Sequence, residues 1–168
     1  MKYRIFETIF GDCAFVFDKN GIFRFYLPYK REETLLNIIK EEFLDLPESA
    51  DYNGSVIFAV QNYFKGKKVK FKEKLNLDGY TEFERKVLNE ALKIPYGETV
   101  TYKELAVRSN SPLAVRAVGS VMGKNKIPLI IPCHRVICSS GELGGFSAEG
   151  GVEFKRKLLL LEQSGLKC

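Results

Sequence analysis

The boundaries of helices are the most restrictive signal in this sequence, and they fall in its second half. The segments TEFE at 81–84 and TYKE at 101–104 each place a threonine three residues before a glutamate. This is the pattern of a capping box, which begins a helix by satisfying its first backbone N–H groups. IPYGE at 94–98 ends the first helix, and the second is short, running through Val107. Apolar residues at helical spacing follow the first box, at Phe83, Val87, Leu88, Ala91 and Leu92.

A third helix is predicted after the segment NSP at 110–112. Ser111 is expected to cap it, with Pro112 in its first turn, and Gly123 ends the run LAVRAVGSVMG. Two short helices joined by a few polar residues form a helix-turn-helix candidate, although an ordinary helical hairpin packed in a core has the same pattern. The charge distribution favours the first alternative, because a stretch without acids suits a polyanionic partner. From Leu105 to Gly141 there is no Asp or Glu, and the cations there are Arg108, Arg116, Lys124, Lys126 and Arg135.

The first half of the chain reads as strands followed by helices. The runs YRIFETIF, CAFVFDKNG and IFRFYL are aromatic and β-branched, with KNG at 19–21 as a hairpin turn. Helices are expected at 31–45 and after Asn53, which can cap the second one. The fold class is therefore α+β, with a three-stranded antiparallel sheet and helices before a mostly helical second part. The Lys-rich segment KGKKVKFKEKLNLDG marks the boundary near residue 77, which gives domains 1–77 and 78–168.

Several classes of protein do not fit the composition. No stretch of about 18 uncharged apolar residues could cross a bilayer, and the first residues lack a secretory signal, so we expect a cytoplasmic protein, or a nuclear one in a eukaryote. Four cysteines without a CxxC pair and one histidine make a poor zinc site and a poor disulfide framework. Single-thiol chemistry remains open. Cys13 and Cys138 are expected to fill the core, and Cys168 lies at the terminus.

The segment IPLIIPCHRVICSSG at 127–141 places Cys133 beside His134, the single histidine of the chain. A thiol of ordinary pKa is only a few per cent ionised at neutral pH, so a nucleophilic Cys133 needs a base or positive charge nearby. Arg135 is adjacent, and Lys124 and Lys126 could add to the field. Side chains of consecutive strand residues point to opposite faces, so either the chain bends at Pro132 or a water carries the proton.

A histidine that acts as a base also needs a partner that orients its ring. Glu162 is the candidate, because it ends the apolar run LLLLE and is expected at the edge of the core. Each residue also has a purely structural interpretation. Cys133 could simply fill the core, and Glu162 could lie where a helix meets solvent.

The motif IPCHRV, preceded by VRAVGSVMGKNKIPLI and IPYGETVTYKELA, resembles the O6-alkylguanine-DNA alkyltransferases, also called methylated-DNA–protein-cysteine methyltransferases. The resemblance spans roughly residues 80–165. It implies a ribonuclease H-like first domain and a partner, double-stranded DNA containing O6-alkylguanine or, less directly, O4-alkylthymine. It also implies a monomer without a cofactor or obligate protein partner. Some relatives hold a structural zinc, but one histidine cannot build that site, so no metal is predicted.

The resemblance also implies roles for individual residues. Cys133 would accept the alkyl group in a single irreversible turnover, and His134 would be its water-mediated base, oriented by Glu162. Tyr102 would give a proton to the departing guanine, and Asn125 would brace the turn before the cysteine.

Arg116 would enter the base stack where the damaged nucleotide is flipped out. Further DNA contacts are implied for Ala117, Gly119, Ser120, Arg135 and Tyr102. A substrate pocket is implied for Val136, Ser147, Met122 and Pro128. Two other functions remain open: a non-catalytic lesion-binding or damage-signalling module, and a cysteine hydrolase with a Cys-His-Glu triad.

Overall fold

The structure is a computed structural model that describes residues 1–49 and 54–165. These residues form two compact units, with the division between Asn76 and Leu77. Within the described ranges, no helix has the length and apolar character needed to span a membrane. Asn53, the predicted helix cap, and Cys168 lie outside the described residues.

The first unit is built on a three-stranded antiparallel sheet, as predicted. Its strands are β1 (Lys2–Thr8), β2 (Gly11–Asp18) and β3 (Gly21–Tyr29), in the order β1-β2-β3. Gly21, the last residue of the KNG turn, has a φ of 127°, at which a side chain is strained. Moreover, a Cβ there would lie only 2.2 Å from the carbonyl oxygen of Lys74.

Two helices, α1 (Glu32–Glu42) and α2 (Gly54–Phe64), pack on this sheet. Four consecutive residues of β2, 13–16, are buried, which requires cover on both faces because successive strand side chains alternate. On one face, α1 supplies Leu35 and Ile39 to a cluster with Ala14 and Val16. The aromatic rings of Phe6, Phe15 and Phe25 stack together nearby.

The second unit is mostly helical, and both predicted capping boxes are present. They begin α3 (Glu82–Ala91) and α4 (Tyr102–Arg108), with Thr81 and Thr101 as the N-caps. Two strands of two residues, β4 (Val100–Thr101) and β5 (Val136–Ile137), pair in parallel and so bring the start of α4 beside the chain that follows Arg135. The remaining helices are α5 (Val115–Gly123), a 3₁₀ turn (Cys133–Arg135) and α6 (Gly151–Gly165).

The predicted start of α5 is wrong. The helix begins at Val115, and its N-cap is Ala114, which makes no side-chain hydrogen bond. Residues 111–114 form a turn instead, closed by the Ala114 N–H donating to the Ser111 carbonyl at 2.9 Å. The turn is thus closed by the backbone carbonyl of Ser111 and not by its hydroxyl group. Residues 109–114 separate the two helices.

From the sequence, a short extended segment is expected at the end of GKNKIPLIIP, and a strand and turn are expected in VICSSGEL after Cys133. Both are mostly absent from the structure. Residues 127–132 form only an isolated bridge between Pro128 and Ile131, and the strand predicted from Val136 is two residues long. Proline lacks the N–H that a strand ladder needs, and this segment has prolines at 128 and 132. Leu129 adopts a φ of 70°, which strains a branched side chain and turns the backbone sharply.

Candidate active site

Cys133 lies in a buried 3₁₀ turn, and its residue is 6% exposed. The turn begins after Pro132, whose carbonyl accepts a hydrogen bond of 2.9 Å from the Arg135 N–H. The chain therefore bends at Pro132, which still allows a water between the side chains of Cys133 and His134. The alternation that a regular strand would impose on Cys133 and His134 does not apply.

Glu162 is the centre of a buried polar cluster. His134 Nε2 lies 2.7 Å from Glu162 Oε1, and both side chains are fully buried. Arg135 donates to the same carboxylate from Nε, at 3.2 and 3.0 Å, and from Nη2, at 2.9 Å. The Gly97 N–H adds a hydrogen bond of 2.8 Å, and Arg135 Nη1 donates to the Ile94 carbonyl at 2.7 Å. The expectation that Glu162 sits at the edge of the core is thus wrong, since it is fully enclosed.

The environment of Glu162 keeps it ionised. Burial by itself would raise the pKa of this carboxyl group, but hydrogen bonds and charge from His134 and Arg135 outweigh burial and lower it to about 2. Guanidinium groups are not deprotonated in proteins, and the Arg135 guanidinium is the counter-charge in direct contact with Glu162.

His134 is held in its neutral form. Burial lowers the pKa of the imidazole, Glu162 raises it, and the charges of Arg135 and Lys155 lower it further, with a net decrease. A neutral ring beside an ionised carboxylate donates from the nitrogen that faces it, here Nε2. The other nitrogen, Nδ1, is then the one that can accept a proton.

Arg135 does not fit the predicted DNA contact. The residue is 8% exposed, its guanidinium is used by Glu162 and Ile94, and it lies 5.7 Å from the centre of the Tyr96 ring. A charge buried in this way is paired inside the unit and is not presented to solvent. The structure therefore gives Arg135 a positioning role.

The Cys133 thiol experiences two opposing influences. Burial raises its pKa, while a hydrogen bond with Asn125, the charge of Lys155 and nearby backbone N–H groups each lower it, with a net increase. The charge that acts most strongly on the thiol is thus that of Lys155. Of Lys124 and Lys126, which the sequence suggested, Lys126 lies over the Tyr80 ring, 5.6 Å from its centre.

Lys155 is a site residue that the sequence analysis did not identify. Its side chain is fully buried, and Nζ donates to the Val136 carbonyl at 2.7 Å and lies 5.8 Å from the centre of the Tyr102 ring. The sequence did hold a signal, because positions 155, 158 and 162 share one face of a helix. The apolar residues of GGVEFKRKLLLLEQSG predict a closing helix with Phe154, Leu158 and Leu161 on its buried face. Leu158 is buried, whereas Phe154 and Leu161 are only half-buried.

Asn125 closes the loop before the cysteine. Its Nδ2 donates to the Ile131 carbonyl at 2.9 Å, and its Oδ1 accepts the Ile127 N–H at 3.0 Å. These two bonds span the turn that contains the strained Leu129. Tyr80, also missed from the sequence, donates its hydroxyl to the Lys124 carbonyl at 3.1 Å.

Tyr102 begins α4 and is half-buried. Burial, followed by the proximity of Cys138 and Cys133, raises the pKa of its hydroxyl, so the group stays protonated at neutral pH. A Cβ at Gly144 would lie 3.0 Å from this hydroxyl, and the φ of 69° at Gly144 also disfavours a side chain. The absence of a side chain there lets the loop approach Tyr102 closely.

The exposed face of α5 is small and carries one charge. Arg116, Ala117 and Ser120 are exposed, Gly119 is half-buried, and Val118 and Val121 face the core. The four residues of α5 for which DNA contacts are predicted thus lie on this surface, and the contacts themselves stay a prediction.

The residues predicted for the substrate pocket do not share one exposed surface. Met122 and Val136 are buried, Pro128 is half-buried and Ser147 is exposed. Among the residues described, no group of three or more His, Cys, Asp or Glu side chains is placed to hold a metal ion.

Residues 82–164 match the family model of the 6-O-methylguanine DNA methyltransferase DNA binding domain. A methylated-DNA–protein-cysteine methyltransferase of Methanosarcina acetivorans is 35% identical over 169 residues, which cover 98% of this chain and 99% of that protein. The protein of that name from Mycobacterium bovis is 44% identical over 118 residues, covering 70% of this chain and 69% of that protein. The crystal structure of Mycobacterium tuberculosis OGT in complex with DNA aligns with a TM-score of 0.82 and 32% identity, covering 98% of this chain and 94% of that chain.

Proposed function

The chain belongs to the methylated-DNA–protein-cysteine methyltransferase family, and from that membership we propose that it repairs O6-alkylguanine in double-stranded DNA by transferring the alkyl group to Cys133. The observation that carries the assignment of the acceptor is the buried Cys133 thiol, next in sequence to a histidine that an ionised, buried Glu162 orients. A core cysteine needs no such partners.

The first step is removal of the thiol proton. A water molecule passes it from Cys133 to Nδ1 of the neutral His134, whose Nε2–H remains on Glu162. Arg135 keeps the carboxylate ionised and in place, and Lys155 and Asn125 stabilise the thiolate that forms. These groups offset the unfavourable burial of a negative charge.

In the second step the thiolate sulfur bonds to the alkyl carbon while the bond between that carbon and O6 breaks. The electron pair of the broken bond stays on the guanine, which takes a proton from Tyr102. Tyr102 recovers a proton from solvent and His134 releases one, so the net reaction exchanges the alkyl group for the thiol proton. The thioether has no ready leaving group, so each molecule reacts once.

Access to the damaged base requires that it leave the stack, at a cost of a few kcal/mol. The exposed face of α5 suits this step, because small side chains at Ala117, Gly119 and Ser120 let its backbone approach the minor groove. Arg116, also exposed there, fills the gap that the flipped nucleotide leaves.

The other two functions explain less of the molecule. A lesion-binding module has no use for the His134–Glu162 pair beside a retained Cys133. A hydrolase would turn over and leaves the exposed face of α5 without a role. Among the described residues, Cys13, Cys133 and Cys138 are free thiols, which fits a reducing compartment and supports a cytoplasmic location.

A pair of cysteine variants tests the acceptor. Cys133→Ser should abolish alkyl transfer from duplex DNA while leaving DNA affinity within about twofold, because the side chain lies in the interior. Cys138→Ser, a matched change five positions away, should retain transfer. Equal transfer by wild type and Cys133→Ser would remove Cys133 as the acceptor.

A further inference from the structure

The segment KGKKVKFKEK, from Lys65 to Lys74, is densely positively charged, and none of its residues belongs to the candidate active site. It holds six lysines against one glutamate, a net charge of +5. The whole chain has a formal net charge of +5, so all its other residues together are balanced. We call residues 65–74 the lysine segment.

All six lysines are exposed, and those of the second part alternate with half-buried residues. Lysines occupy positions 68, 70, 72 and 74, while Val69, Phe71 and Glu73 between them are half-buried. Alternation with a period of two is the pattern of an extended chain lying on a surface. It places the four ammonium groups on the outer side, in a row.

The backbone of the segment is fixed at both ends. At its start, the Gly66 N–H donates to the Tyr63 carbonyl at 2.9 Å, at the end of α2. At its end, the Lys74 carbonyl accepts the Ile22 N–H at 2.9 Å, and the Asn76 N–H donates to the Ile22 carbonyl at 2.7 Å. The row of charges is therefore held on the first unit and is not a loose tail.

Nothing in the described part of the chain neutralises this row, since none of the six lysines of the lysine segment forms an ion pair there. The acid within the segment, Glu73, is engaged locally: its carboxylate accepts from the Lys72 backbone N–H at 2.8 Å and the Ser55 hydroxyl at 3.3 Å. Like charges this close repel one another, so a bound polyanion would relieve an existing cost.

We propose that the lysine segment is a second DNA-contacting surface, which binds the phosphate backbone of duplex DNA and lies outside the helix-turn-helix. The inference rests on the proposed function, which makes DNA the polyanion that this protein must find. Alternate residues of an extended chain are about 6.6 Å apart, close to the roughly 6.8 Å over which one DNA strand advances by two phosphates. Phosphate contacts carry no sequence information, which suits a protein that searches for rare lesions.

The test is the salt dependence of binding to an undamaged duplex. The triple variant Lys68→Gln, Lys70→Gln and Lys72→Gln removes three charges from the row. Each lost phosphate contact should reduce the slope of log K against log[salt] by about 0.9, so the expected reduction is about 2.7. The matched control is Lys19→Gln, Lys30→Gln and Lys40→Gln, three exposed lysines of the same unit outside the segment. Its slope should change by less than one.

A second variant separates charge from structure. Lys68→Arg, Lys70→Arg and Lys72→Arg keeps the three charges and should keep the wild-type slope within about 0.5. The proposal is overturned if the glutamine variant has the wild-type slope for DNA. It is also overturned if, in a parallel assay with anionic lipid vesicles, the variant loses binding to the vesicles but not to DNA. The failure of the proposed function is a separate result, because it requires that wild type gain no alkyl group from damaged DNA, whereas this test uses DNA without a lesion.

Discussion

Two buried cysteines show how differently the two units treat the same side chain. Cys13 lies in β2 among aromatic residues and is completely buried, and burial raises its pKa far above the ordinary range, with only a hydrogen bond with Thr8 in opposition. Cys133 is buried nearly as well, but Asn125, Lys155 and backbone N–H groups oppose the effect of burial. Burial alone makes a thiol inert, and it is the polar surroundings that make one of the two usable.

The comparison extends to the two interiors. The core of the first unit around α1 is apolar, with Leu35 and Ile39 packed on the sheet. The interior of the second unit encloses His134, Lys155 and Glu162 at 0% exposure. Burying ionisable groups at this depth costs free energy of folding unless they are paired. The second unit is therefore less stable than it would be with an apolar interior, and in return the groups around Cys133 are held in place.

Breaking the charge cluster should have the largest effect. Glu162→Ala leaves Arg135 buried without its carboxylate, and removal of one partner from a buried pair costs about 3 to 5 kcal/mol. Urea unfolding should show this loss, while Glu153→Ala, which removes an exposed ion pair on the same helix, should cost less than about 1 kcal/mol. Similar losses of unfolding free energy in the two variants would mean that the buried cluster contributes no more to stability than an exposed ion pair.

Alkylation of Cys133 should have the next largest effect on stability. The residue is only 6% exposed, so an added methyl group overpacks the turn and should lower the free energy of unfolding by about 1 to 3 kcal/mol. Thermal unfolding of protein before and after complete reaction with an O6-methylguanine duplex measures it. An unchanged midpoint would show that the site has spare room.

Removing the charge at Lys155 should make the Cys133 site more like that of Cys13. Lys155→Met keeps most of the side-chain volume but removes a charge that lowers the pKa of the thiol, so we expect transfer to slow by a factor of about ten. Transfer from the free base O6-methylguanine, followed by mass spectrometry at several pH values, reports it. Lys157→Met, an exposed change on α6, is the control and should react at the wild-type rate.

Acidification should weaken the second unit gradually. The pKa of His134 is lowered on folding, so below about pH 6.5 the unfolded chain takes up a proton that the folded chain does not. The pKa of Glu162 is also lowered, to about 2, so its contribution is present above about pH 4.5 and is lost between pH 4.5 and 2.

Both groups therefore make unfolding easier as pH falls, by at most about 1.4 kcal/mol per pH unit for each proton. Unfolding free energies measured from pH 7 to pH 3 should decline, and Glu162→Gln should flatten the part below pH 4.5. A wild-type curve that stays level or rises on acidification contradicts this.

Local sequence rules were enough for the elements whose signals are local. The capping boxes at Thr81 and Thr101 and the three-stranded sheet depend on neighbouring residues, and the structure has them. The rules failed where backbone hydrogen bonds determine the local structure. Ser111 closes a turn through its carbonyl, and after the prolines that precede Cys133 the chain forms a 3₁₀ turn instead of a strand.

The candidate site shows a similar division. Motif residues such as Cys133, His134 and Asn125 could be named from the sequence. Arg135 was predicted as a DNA contact, and the only sequence signal for Lys155 was its helical spacing from Leu158 and Glu162. Long cations usually lie at the surface, and only the tertiary positions of Glu162 and the Val136 carbonyl reveal why these two are buried.

The most direct test of the central claim is the intact mass of the protein after incubation with excess duplex DNA that contains one O6-methylguanine, followed by peptide mapping. Replacing the thiol hydrogen by a methyl group adds about 14 Da, and the cysteine thiolate is the nucleophile expected to take it. We predict one such addition per chain, located on Cys133 and absent from Cys13 and Cys138. No addition, an addition elsewhere, or continued turnover beyond one equivalent would contradict the account.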